Sequence, residues 1–218
     1  VQLCAAAACA AVLLGACSSS DGDDTADTST SSTEPASQYG SSMGTEAGDV
    51  QDVAALGDGP ADGEEWRIPV GVSVCGRFLD VPAGDRVGGV SAGPAEATVV
   101  GGGDETPTLG DFAESAGIGL APGRLTLPDD IVPPVLDSTE PATELAGQTL
   151  ATGDLCGQTP AEVQVWVYSS AARSSGDGIL LVTQDLANIP FAEQDMAVVI
   201  AFSPESSLPT LPPSALGG

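Results

Sequence analysis

Val70, Val72 and Val74 alternate with Gly71, Ser73 and Cys75, the period-two pattern of a strand with one buried face. The alternation returns at Val163, Val165 and Val167 against Gln164, Trp166 and Tyr168. Residues 97–100 and 179–182 read as shorter strands, and residues 124–127 resume the alternation before a proline-rich turn at 128–134. Residues 196–202 are apolar without interruption, as in a central strand covered on both faces. One stretch has helical spacing instead. Leu109, Phe112, Ala113 and Ala116 share a face, Thr108 opens the helix, Asp111 and Glu114 favour its first turns, and Gly117 suits its C-terminal cap. Residues 137–149 follow neither period and read as an extended loop.

Strands flanking a single helix in this order predict an α+β domain, a small mixed sheet with one main helix in a β-grasp-like arrangement. An all-β sandwich is the alternative. The pattern confines this domain to residues 64–204, about 140 residues, enough for a core of its own. Residues 17–63 are a low-complexity run of Ser, Thr, Asp, Glu, Gly and Ala. Such a run buries too little apolar area to offset its ordering entropy, so it reads as a disordered tether. Residues 50–56 would form at most a transient helical turn, and the whole tether would span ~40 Å as a coil. Residues 205–218 read as a proline-rich tail.

Residues 1–16 hold an apolar run that ends Leu13-Leu14-Gly15-Ala16-Cys17 and gives way at once to Ser18 and acidic residues. Small residues beside a cysteine at the end of a short apolar run have the form of a lipoprotein signal peptide with its lipobox. Cys17 is then the lipidation site, acylated on sulfur, and cleavage falls before it. The run is well short of the roughly 20 residues a transmembrane helix needs. No basic residue precedes it and residue 1 is Val, so the start of the signal is expected to lie upstream. The expected location is the extracytoplasmic face of the cell membrane, held by the lipid anchor.

Of the five cysteines, Cys4 and Cys9 would leave with the signal and Cys17 would take the lipid. Cys75 and Cys156 remain, and in an oxidising compartment one pair reads as a disulfide. Closing a loop of about 80 residues contributes on the order of 4 kcal/mol through chain entropy. The chain has no histidine and no Cys-x-x-Cys spacing, so no metal or other cofactor is expected.

Charge narrows the partners. There are 31 acidic residues against five arginines, for a net charge of −26, which repels nucleic acid. Gly89-Val90-Ser91-Ala92-Gly93 matches a nucleophile elbow in letters, but a serine nucleophile needs a base, and the chain holds neither histidine nor lysine. That stretch reads as a glycine-rich loop. Asp104-Glu105 and Asp129-Asp130 are adjacent in sequence, the pattern of solvated loops rather than of two carboxylates facing across a cleft. Asp21-Gly22-Asp23-Asp24 lacks the terminal glutamate of an EF-hand loop. No catalytic residue is therefore expected. Trp66 and Trp166 read as packing residues, and Trp166 with Tyr168, on one strand face, is the single patch nominated for a partner or ligand.

Four stretches resemble an uncharacterised family of actinobacterial envelope proteins. They are WRIPVGVSVCGRFL from Trp66, TLGDFAESAG from Thr108, CGQTPAEVQVWVY from Cys156, and DMAVVIAFSP from Asp195 with PPSA from Pro212. The family carries histidines on its first strand and in the glycine-rich segment corresponding to residues 88–100. Here Arg67, Ser91, Ala92 and Ala95 stand among the corresponding residues, so any chemistry of those histidines is absent. The functional expectation is a lipid-anchored, non-enzymatic envelope module that binds an unidentified envelope protein or small molecule or serves structurally. A carboxylate-dependent hydrolase and a small solute-binding protein are the alternatives.

Overall fold

The computed structural model describes residues 45–103, 105–131, 145–175, 179–204 and 208–216. Its first elements are β1 (Thr45–Ala47), α1 (Val50–Ala54), β2 (Glu65–Val74), β3 (Arg77–Leu79), β4 (Val90–Gly93) and β5 (Glu96–Val100). Helix α2 (Leu109–Ser115) follows, then β6 (Gly119–Ala121), β7 (Arg124–Thr126), β8 (Thr149–Ala151), β9 (Leu155–Cys156) and β10 (Thr159–Pro160). The chain continues with β11 (Glu162–Tyr168), α3 (Ser170–Ser175), β12 (Ile179–Val182), a 3-10 turn at Leu186–Asn188, β13 (Ala197–Ser203) and α4 (Pro213–Leu216).

Eight strands form one mixed sheet in the order β1-β12-β11-β13-β2-β5-β4, with β3 also paired to β2. Strand β13 runs parallel to β2, from Val198 opposite Val70 to Phe202 opposite Val74, and antiparallel to β11. The class is thus α+β, with a mixed sheet and one main helix. The strand order is also that of a β-grasp: an antiparallel arm on the first long strand, a helical crossover, an antiparallel pair, and a last strand returning to the centre. Strands β6, β7 and β8 form a small separate meander.

Burial follows from this order. All seven residues of β13 are buried, because it is central and covered on both faces. Strand β2 changes character along its length. Glu65 and Arg67 are exposed while Trp66 and Ile68 are buried, but from Val70 to Val74 every residue is buried. The change falls where β13 joins. Pro69 lies one residue before the first β2–β13 pair, so its missing N–H removes no bond from that ladder.

On the inner face, Ile68, Val70 and Val72 meet Val163, Val165, Val198 and Ile200, with Phe112 and Leu109 of α2 packed into the same core. Thr108 caps α2 with its side chain toward the Asp111 N–H, while the Thr108 N–H donates to the Asp111 carboxylate at 2.7 Å. At the other end Gly117 has φ +70, the Gly117 N–H donates to Glu114 O, and the Ile118 N–H donates to Ala113 O. That pair of bonds is a Schellman stop.

On the outer face, Trp166, Tyr168, Ile179, Ala197, Val199 and Ala201 form a second apolar layer, against which Phe78, Leu181, Leu211 and Ala215 pack. Gly71 makes room for it. A Cβ there would stand 2.6 Å from the Phe78 ring and 3.2 Å from Pro212 Cβ.

Three expectations change. Residues 45–63 are not all tether: β1 pairs parallel to β12, α1 is closed by an Asp49–Asp52 capping box, and Val53 is fully buried. Val50, Val53 and Leu56 recur at helical spacing, and the core supplies the surface that local sequence lacks. The body also does not stop at residue 204, because residues 208–216 pack on the outer face. Finally, Val90–Gly93 is strand β4, paired with β5, rather than a loop. Residues 1–44, where the signal, the lipidated Cys17 and most of the tether are expected, lie outside the described residues, as does most of the extended loop expected at 137–149.

Candidate functional site

Cys75 and Cys156 form the expected disulfide, with Cα atoms 5.3 Å apart and a separation of 81 positions in sequence. Cys75 occupies the two-residue turn from β2 to β3, where it and Gly76 both have positive φ, the conformation such hairpin turns favour. Cys156 lies on β9, ahead of β11. The long strands beside these cysteines, β2 and β11, are not neighbours, since β13 runs between them. The bond instead passes the end of β13: the Cys75 N–H donates to Phe202 O at 2.8 Å and Cys156 Sγ stands 3.7 Å from the same oxygen.

Trp166 and Tyr168 come together on the outer face, 3% and 4% exposed. The Tyr168 hydroxyl donates to Pro209 O. Burial pushes its pKa up to about 12, because the phenolate would lose its hydration. Gln164, on the same face, donates from Nε2 to Ser203 Oγ at 2.7 Å. Among the described residues, Trp166 Nε1 and Gln164 Oε1 are buried without a hydrogen-bond partner. Around this row run the bonds that hold residues 208–216: Arg173 donates to Ala215 O at 3.3 Å, and Ser214 donates to Ala95 O at 2.6 Å.

Trp66 is likewise buried, at the start of β2. Its side chain and the Ala61 N–H, which donates to Oε2 at 3.0 Å, hold the exposed Glu64 carboxyl below the usual range. Trp66 Nε1 completes no full hydrogen bond there. Ser91 lies on β4, in a strand-to-strand hairpin rather than a strand-to-helix elbow. Asp129 and Asp130 are exposed at the lip of a cleft of about 540 Å³ between Pro82-Ala83, the end of α2 and Leu127-Pro128. They are adjacent on one lip, so they do not face one another across it. Among the described residues no cluster of three or more Cys, Asp or Glu is placed to hold a metal ion.

The sequence pattern missed the cover on the outer face: Phe78, Leu211, Pro212 and Ala215. A signal existed in Leu208 and Leu211, apolar residues set among prolines, but its period matches neither helix nor strand. No protein family, curated protein or solved structure matches this chain.

Proposed function

We propose that this chain is a lipid-anchored extracytoplasmic module that binds a partner and carries out no catalysis. The Cys75–Cys156 disulfide carries the reading, since such bonds persist in oxidising compartments. The lipobox-like Leu13–Cys17 stretch agrees in sequence, and so do the four stretches resembling envelope proteins. Two acyl chains on Cys17 would retain the protein stably at a membrane. Among the described residues, no helix is long and apolar enough to cross one. Among the described residues, the titratable groups at the cleft are the adjacent exposed carboxylates of Asp129 and Asp130, which supports binding over hydrolysis.

Mass spectrometry of the mature N-terminus tests the anchor. The expected result is a chain beginning at Cys17 with a thioether-linked diacylglycerol; a mature chain beginning elsewhere without lipid refutes it. Turnover of glycan or peptide substrates that a single Asp or Glu substitution abolishes would refute the non-enzymatic assignment.

A further inference from the structure

Gln164 of β11 and Ser203 of β13 are 0% and 4% exposed, a primary amide and a hydroxyl enclosed together in the sheet. Gln164 Nε2 donates to Ser203 Oγ at 2.7 Å across neighbouring strands, 39 positions apart in sequence. Nε2 is bonded to the amide carbon Cδ, so the hydroxyl oxygen stands beside an acyl carbon. Among the described residues, Gln164 Oε1 is buried without a hydrogen-bond partner. Leaving half of a buried amide unsatisfied is costly, and such a group in a folded protein calls for a reason.

Two residues on the same strand face supply the chemistry that would use this pair. Glu162, partly exposed, stands directly opposite Ser203 in the β11–β13 register. Side chains so paired share a face, with Cβ atoms about 5 Å apart. Trp166 follows Gln164 on that face, and its Nε1–H is also buried without a partner.

We propose that Gln164 and Ser203 are the site of a self-made ester cross-link between β11 and β13. Ser203 Oγ gives its proton to the Glu162 carboxylate and attacks Gln164 Cδ. As the Oγ–Cδ bond forms, negative charge collects on Oε1, and the Trp166 indole is the donor this face offers it. The Cδ–Nε2 bond then breaks, Nε2 takes the proton from Glu162, and one ammonia leaves. An amide and an alcohol have become an ester and ammonia. The strands hold both groups together beforehand, which replaces a chance encounter by a fixed one. Their burial excludes the water that would hydrolyse the ester. Ser203 follows Phe202, whose carbonyl meets both cysteines, so ester and disulfide clamp the same end of the sheet. The reaction is one turnover of the chain upon itself and stands apart from the partner-binding reading.

Mass spectrometry of the unaltered full chain tests it. Reduced, unfolded and cut after Arg124 and Arg173, the chain should yield residues 125–173 and 174–218 as one linked species. That species should be lighter than the sum of the two peptides by one ammonia. Hydroxylamine, which cleaves esters and spares amides, should separate them, and Ser203→Ala should give the two peptides unlinked. Glu162→Gln should slow the loss of ammonia at least about a hundred-fold with near-ultraviolet circular dichroism unchanged. Two separate peptides of full mass from the unaltered chain overturn the proposal without recourse to any variant. A link that persists in Ser203→Ala, or that resists hydroxylamine, belongs to other groups and also overturns it. Linking at the full rate in Glu162→Gln overturns the role of Glu162 as the base.

Discussion

At the scale of single residues, Tyr168 ties the outer face to pH. Its phenol keeps its proton up to about 12 in the folded chain but only to about 10 when unfolded. Between those values the unfolded state binds fewer protons than the folded one. The contribution is therefore intact below the unfolded pKa and is lost as pH rises through the folded one. Tyr168→Phe should abolish that alkaline decline while costing about 1 kcal/mol at neutral pH through the lost bond to Pro209. Urea titrations at about pH 8 and about pH 11 on both proteins check it, and an equal alkaline loss in both would assign the decline to other groups. The residue's identity as an aromatic on a strand face was readable from the alternation of β11. Its burial was not, because the cover comes from residues some forty positions further along the chain.

At the scale of elements, α2 illustrates agreement between local and global signals. Thr108, Asp111 and Gly117 mark its ends in sequence, and all three make the end contacts their chemistry suggests. Thr108→Ala should cost about 1 kcal/mol, since it leaves the Asp111 N–H without its acceptor. Thr108→Ser should restore most of it. Denaturant midpoints at unchanged slope measure both, and no loss for the alanine variant would show that the tertiary seat of α2 makes the cap redundant. Helix α1 is the contrasting case. It has the same kind of capping box, from Asp49 and Asp52, in a stretch whose composition reads as disordered. Five residues cannot sustain a helix alone, and only burial of Val53 against the core makes it persist.

At the scale of the whole molecule, two features hold distant segments together. The disulfide links the end of β2 to the approach of β11 across β13. Closing its 81-residue separation should contribute on the order of 4 kcal/mol. Cys75→Ser, Cys156→Ser and the double variant should lose about the same amount, because any one of them breaks the bond. Chemical denaturation with and without reductant tests this, and a double variant much weaker than either single one would assign the cysteines a role beyond the bond. The second feature is the N-terminal segment. Deleting residues 45–57 removes β1 and the fully buried Val53, so the body should lose at least about 2 kcal/mol. A denaturant midpoint unchanged by the deletion would return that stretch to the tether.

The sequence by itself determined where the long strands and the main helix lie, because alternation and capping are local properties that a core then reinforces. It also pointed to the disulfide partners, because with Cys4 and Cys9 assigned to an expected signal and Cys17 to an expected lipid, Cys75 and Cys156 are the pair left over. Tertiary structure alone decided the order of the strands, the burial of Trp166 and Tyr168, and the reach of the body into residues 45–63 and 208–216. Each of those flanking segments has too few apolar residues to form structure unaided. They are ordered by surfaces assembled from β11, β12 and β13, which do not exist until the sheet has formed. A segment ordered by a distant surface leaves no periodic mark of its own, which is why the cover over the outer face was not readable until the fold placed it there.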